Sequence, residues 1–381
     1  MVPGATTTRQ ADGGAHQAQV EVRILSAPRI VSGTDGKRHI AYELRITSFY
    51  SGDEPLKLVR VAIYPDNASV PLETIEGAAI RALLARPTKE DEAAKGIPIA
   101  SGLSQTLFLW LTLPPGARPA SLRHQLIFEA DKAAVERADD IRIPVLPGLP
   151  VRIGPPLRGG RWMAVEGPGN HRSHHWGSMV AVDGKLTIPQ RFAIDWFGLD
   201  KESHSIRSQP DSLASTVDED WVGYDADVLA VADGVVEDAR DGIPNGKPLA
   251  PEETPDDLTA RTLYGNFVIL RIAPGVYVHY AHMKTGTLTV GIGQHVRRGM
   301  VLGRLGQTGS AGAPHLHFHV SDRPTFEQSE GLPFVVDAFT LLGHGKIEDS
   351  FDTTKHTDLQ SPSAKVRRFE LPLDGSVVAF P

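Results

Sequence analysis

The chain has 381 residues, enough for two domains of ordinary size, and its 41% hydrophobic and 22% charged residues fit a folded protein. A net charge of −7, with no Lys/Arg cluster interleaved with aromatics, argues against a nucleic-acid surface. There is no cysteine, which excludes disulfide staples, cysteine zinc knuckles and thiol nucleophiles; any metal must be held by Asp, Glu or some of the 15 His.

Residues 1–17 are polar and small, and read as a disordered leader without an apolar signal core. No apolar run approaches the roughly 20 residues of a membrane span. The expected location is the cell envelope or the outside of the cell if an export signal precedes this numbering, and the cytoplasm otherwise. Residues 18–147 read as an antiparallel β-sandwich, with strands expected at 19–25, 39–48, 58–64, 106–113 and 122–129 and a short helix at 73–85. The alternation Val20-Glu21-Val22-Arg23-Ile24 is the period of a half-buried strand. The five prolines between Pro144 and Pro156 suggest a linker over 144–160.

A second β-rich domain is expected over 148–345, with strands at 178–182, 192–196, 228–236, 267–272, 276–282 and 315–320. The polar stretches 201–220 and 240–262 read as surface insertions. A C-terminal extension, 346–381, carries Asp374-Gly375 between two apolar-alternating runs, a hairpin signal.

Four clusters carry potential chemistry. In His315-Leu316-His317-Phe318-His319-Val320, strand geometry puts the three imidazoles on one face and Leu316, Phe318 and Val320 on the other, toward a core. Three polar rings on one face beside the Gly-rich loop 306–312 suggest metal or acid–base work; a solvated face is the plainer alternative. Asp195 sits among apolar residues, where an ionised carboxylate is costly unless it is paired or bound to a metal. In Val278-His279-Tyr280-Ala281-His282, one His must face inward. His171-Arg172-Ser173-His174-His175 is either an exposed polar loop or a source of a ligand.

These residues, with Gly293–Gly303, Gly306–Ser310, Tyr280–Met283 and Ala230–Gly234, resemble the lysostaphin-type zinc metallopeptidases over roughly residues 160–345. The resemblance implies an all-β chain: an antiparallel β-sheet peptidase domain of the duplicated-hybrid-motif type, preceded by the β-sandwich. It implies Zn2+ as cofactor and hydrolysis of peptide bonds in peptidoglycan cross-links or other Gly-containing peptides. By the same resemblance His317 and Asp195 are metal ligands, and His315 and His282 are catalytic histidines that handle protons and the oxyanion.

One position departs from the pattern. The family's first ligand falls on Arg191, and a protonated guanidinium cannot bind zinc. Val182-Asp183-Gly184-Lys185 reads as a tight hairpin; counted outward, its strands bring His174 or His175 beside Arg191. A branch of the family resembles this chain in having that arginine with a His at the His175 spacing. His175 is therefore expected as the third ligand, with His174 as the alternative.

The leading expectation is a zinc endopeptidase. The alternatives are an inactive, cell-wall-binding or hydrolase-regulating module, in which Arg191 pairs with Asp195, and a swinging-arm carrier, which lacks a Met-Lys-Met and leaves Asp195 unexplained. Oligomeric state has no signal in the sequence.

Overall fold

In the computed structural model, residues 16–84, 96–250, 256–354, 358–360 and 364–381 are described. Most of the expected leader, the end of the expected 73–85 helix and parts of the 240–262 and C-terminal stretches lie outside them. The described residues pack as two compact units, one drawn from 1–24, 43–107 and 119–144 and the other from 25–42, 108–118 and 145–381.

The first unit is built on an antiparallel sheet in which Leu56–Pro65 pairs with Ser121–Glu129, and Ser121–Glu129 with Val135–Pro144. Ser121–Glu129 alternates between half-buried and buried positions along its length, as a strand with one covered face should. The helix expected over 73–85 is mostly absent. Glu73–Glu76 is a strand paired with Leu56–Pro65, and only Ala78–Arg81 makes a helical turn. Cross-strand partners outweigh the modest helix propensity of so short a segment.

The second unit holds a ten-stranded sheet whose strands, in chain order, are β1 (Arg161–Val165), β2 (Ile194–Leu199), β3 (Gly234–Arg240), β4 (Phe267–Ala273), β5 (Val276–Ala281), β6 (His295–Val296), β7 (Leu316–Ser321), β8 (Phe339–His344), β9 (Lys365–Arg367) and β10 (Ser376–Ala379). Their spatial order is β6-β3-β4-β5-β7-β2-β1-β10-β8-β9, and the pairs are antiparallel.

Period-two alternation sorts this sheet into two faces. Leu316, Phe318 and Val320 of β7, Val278 and Tyr280 of β5, and Val268 and Leu270 of β4 share one apolar core. His317 and His319 of β7 and His279 of β5 turn the other way. Beside them, Phe267, Ile269 and Ala281 join Tyr264 and Phe326 in a smaller cluster.

Three local expectations change. The 144–160 stretch is not merely a linker, because Val151–Ile153 pairs in parallel with Phe334–Val336. The expected strand over 228–236 is two, Asp227–Leu229 and β3. Asp374-Gly375 does not join β9 to β10 as a hairpin: β10 lies between β1 and β8, and β9 pairs with β8. The C-terminal residues thereby complete the central sheet.

Candidate metal and catalytic site

Sheet register sets the first two residues. Asp195 on β2 is directly opposite His317 on β7, and His317 is opposite Ala281 on β5. The His317 Nδ1 atom is 2.9 Å from Asp195 Oδ1. His315, just before β7, brings its Nε2 to 3.5 Å from the same oxygen. A small Ala281 opposite His317 leaves room for the imidazoles between the strands.

His175 arrives by a loop, not by the extended hairpin. The turn at Val182-Asp183-Gly184-Lys185 forms as read, with Val182 opposite Lys185 and both turn residues at positive φ. Pairing stops at Val180 opposite Thr187, so the outward count to residue 175 follows no ladder. Instead His175 Nδ1 donates to the Glu166 carbonyl at 2.8 Å, Ser173 Oγ donates to the same carbonyl at 2.7 Å, and the Glu166 carboxylate accepts from the His174 backbone N–H at 2.8 Å. This cradle directs His175 Nε2 to 3.6 Å from Asp195 Oδ1. That nitrogen is buried and has no hydrogen-bond partner among the described residues. His174 reaches only 3.9 Å from Asp195 Oδ2, and its side chain is mostly exposed. Nothing in the sequence singled out Glu166.

His282 follows β5 at a left-handed φ of 63°, which a non-glycine residue adopts at a cost. The surrounding loops over-determine it. Its N–H donates to the Tyr264 carbonyl, its carbonyl accepts from Gly306, and its Nδ1 donates to the Thr308 carbonyl at 2.7 Å. The loop carrying Thr308 packs so tightly that a Cβ on Gly309 would lie 2.3 Å from the Gly265 nitrogen, so this approach requires glycine. The rings of His282 and His315 are 4.8 Å apart. His315 Nδ1 donates to the Ala313 carbonyl at 2.7 Å, and its ring stacks on Phe197.

Arg191, which stands where the resemblance implies a ligand, turns away. Its guanidinium pairs with Glu330 at 2.8 Å and donates to the Gly331 carbonyl at 3.2 Å. Glu330 lies 139 residues along the chain from Arg191, too far for sequence spacing to reveal the pair.

The electrostatics follow from burial. Burial opposes ionisation of Asp195, but the imidazoles of His315 and His175 more than offset it and hold the carboxyl well below its usual range. Burial pushes His175, His282 and His317 down, favouring neutral rings. His315 is the exception: burial lowers its basicity and Asp195 raises it further, for a net increase.

The sequence-expected residues His175, Asp195, His282, His315 and His317 thus come together, with His174 at the rim. His174, Asp195, His282, His315 and His317 line one side of a cleft of about 620 Å3 whose other walls include Trp221, Leu249, Leu258, Phe326 and Phe351. The donors suit a divalent ion. A carbonyl can only accept, so the Nδ1 atoms of His175 and His315 carry their protons; the Nε2 lone pair of His175 faces an ionised carboxylate, while Asp195 favours a second proton on His315 Nε2. A carboxylate with two neutral imidazoles, His175 and His317, is the ligand chemistry of a catalytic zinc site with one position left open. Among the described residues, His174, His175 and Asp195 also form one of two side-chain clusters compact enough for a metal.

Fold and site define an all-β domain in which one buried carboxylate and several imidazoles form a donor set suited to a divalent ion. Residues 221–328 match the family described as Peptidase family M23. The match includes His282, His315 and His317 and begins after His175 and Asp195. A 72-residue stretch is 39% identical to the DD-carboxypeptidase/endopeptidase Mpg of Neisseria meningitidis serogroup B, covering 18% of this chain and 16% of that protein. The chain therefore spans only a small part of this relative's length. Similar solved structures include the catalytic domain of lysostaphin from Staphylococcus simulans, at 18% identity and TM-score 0.21 over 43% of this chain and 79% of that one. A putative peptidase M23 from Pseudomonas aeruginosa shares 14% identity at TM-score 0.26, over 74% and 91% of the two chains.

Proposed function

We propose that this protein is a zinc-dependent endopeptidase that hydrolyses peptide bonds in the cross-links of bacterial peptidoglycan, acting in the cell envelope or outside the cell. The reading rests on one observation above the others: the nitrogens of His175, His315 and His317 converge on Asp195 Oδ1, and the His175 nitrogen is buried without a partner. His175, Asp195 and His317 would hold the ion. When bound, zinc supplies a Lewis acid that acidifies water and polarises the scissile carbonyl.

The remaining work belongs to His282 and His315. Each has Nδ1 committed to a backbone carbonyl, which fixes the ring and leaves Nε2 to exchange protons. Their adjacency lets one take a proton while the other donates to the developing oxyanion or the leaving amine. The left-handed backbone of His282 pre-positions the ring, so that less reorganisation is needed at the transition state. The cleft beside these two histidines has room for an extended peptide.

The module reading without metal rests on Arg191 standing where a ligand is expected; the Arg191 pair with Glu330 gives that side chain a structural role and favours the enzymatic reading. The test is digestion of purified peptidoglycan by the zinc-loaded protein, with fragments identified by mass spectrometry. Cleavage of cross-link peptides that disappears in His282→Ala and His315→Ala is the expected result. Intact peptidoglycan with a stoichiometric metal present would overturn the enzymatic reading.

A further inference from the structure

Behind His317 lies a buried line of polar groups that the proposed reaction does not use. His317 Nε2 is 2.9 Å from His319 Nδ1. His319 Nε2 is 3.4 Å from the Tyr264 hydroxyl, which is 3.3 Å from His279 Nδ1. His279 Nε2 is 2.7 Å from Ser321 Oγ and 3.2 Å from the Arg323 carbonyl, and Ser321 Oγ donates to that carbonyl at 2.7 Å. His317, His319, His279, Tyr264 and Ser321 are all buried. Register places His279 opposite His319 across β5 and β7, and their rings stack at 4.2 Å.

The far end sets the direction of the whole line. The Arg323 carbonyl can only accept, and it faces His279 Nε2, so that nitrogen carries the proton. His279 Nδ1 is then a lone pair that accepts from Tyr264. The Tyr264 oxygen accepts from His319 Nε2–H, and His319 Nδ1 accepts from His317 Nε2–H. The last lone pair falls on His317 Nδ1, 2.9 Å from Asp195 Oδ1. Two acceptors at that separation repel unless a cation lies with them. Gln190 Nε2 is 3.4 Å from His317 Nε2, and the polarity requires that amide in its flipped orientation, with the oxygen toward that nitrogen.

We propose that His319, Tyr264, His279 and Ser321 form a one-directional hydrogen-bond relay that holds His317 in the Nε2–H tautomer and thereby sets the zinc affinity of the Asp195 site. The proposal rests on the metal reading above. In it His319 is a positioning residue that acts through His317, and Tyr264 is the link that joins two strands' histidines into one line. Outer partners of ligating histidines typically carry ~10–100-fold in metal affinity.

The test is the zinc dissociation constant of the full chain, measured by competition with a chromophoric chelator, beside its metal-free melting temperature. Tyr264→Phe removes one oxygen and keeps the ring packed against Phe267 and Phe326. It should weaken zinc binding by ~10-fold. His319→Leu should weaken it at least as much, and His319→Gln, which keeps an acceptor on the side chain, should recover part of the loss. Nitrogen-15 histidine shifts should report His317 as Nε2–H in the wild type and lose that preference in Tyr264→Phe. Wild-type affinity in Tyr264→Phe, with zinc still lost in His317→Ala, would overturn the relay and leave the metal reading standing. A wild-type chain that takes up no zinc would overturn both.

Discussion

Two clusters of carboxylates and imidazoles lie close together in sequence, and only one has the properties of a reaction centre. Around Asp195 the acidic group is buried, three imidazole nitrogens converge on one of its oxygens, and His175 Nε2 has no hydrogen-bond partner among the described residues. Around Asp200, Glu202 and His204 the residue types are the same and the side chains are also close. There the Asp200 carboxylate accepts from the backbone N–H groups of Glu202 and His204, both at 2.8 Å, and caps its own turn. The Glu202 side chain is 71% exposed and solvated. Residue type and proximity are shared; burial and unspent lone pairs are not. A buried acceptor without a partner costs about 1–3 kcal/mol, so a fold that keeps one points to a ligand that satisfies it.

Metal analysis of variants breaks this comparison most sharply. His317→Ala and Asp195→Ala should reduce bound zinc from about one per chain to a trace, because two protein ligands hold zinc weakly. Asp200→Ala and His204→Ala should leave it unchanged. Equal zinc loss in both sets, read by plasma mass spectrometry, would show that proximity alone decides.

Arg191 sharpens the contrast between a ligand position and a structural one. Arg191→Met keeps the aliphatic stem but leaves Glu330 without this partner, and should destabilise the fold by about 3 kcal/mol, the low end for a broken buried pair. Its zinc content should match the wild type. Chemical denaturation measures the first effect and metal analysis the second; a stable variant that lost its zinc would place Arg191 in the metal site after all.

A smaller effect separates the site from a buried histidine in the other unit. His124 donates Nδ1 to the Ile141 carbonyl at 3.1 Å, and burial pushes its pKa down to about 4. The folded value lies below the ordinary 6.5, so the unfolded chain takes up a proton first. The stability is complete above about pH 6.5 and is lost as pH falls toward 4, by about 2 kcal/mol between pH 7 and pH 5. His124→Gln should flatten that part of the stability–pH curve; a curve unchanged by the substitution would remove His124 as its cause.

Much of this was legible in the sequence. The strict alternation of Leu316-His317-Phe318-His319-Val320 fixed which side of β7 would carry imidazoles, because the side-chain period of a strand has no freedom. Asp183-Gly184 fixed a hairpin for the same kind of reason, through two residues that tolerate positive φ. What stayed hidden was non-local. The Glu330 partner of Arg191 and the capture of β10 by β1 and β8 join segments far apart in the chain, and the Glu166 cradle that delivers His175 is an irregular loop with no regular period. No local propensity encodes such partners, and the outward count along the hairpin failed because its ladder ends at Val180. His319, Tyr264 and His279 were visible as residues, but their line of hydrogen bonds exists only once β5 and β7 are in register.

The most direct test of the central claim is a crystal structure of the zinc-loaded protein with anomalous data collected at the zinc edge. One zinc peak, bound by the imidazoles of His175 and His317 and the carboxylate of Asp195, with Arg191 still on Glu330, is the expected result. A peak coordinated elsewhere, or none among these three side chains in fully loaded protein, would contradict the account.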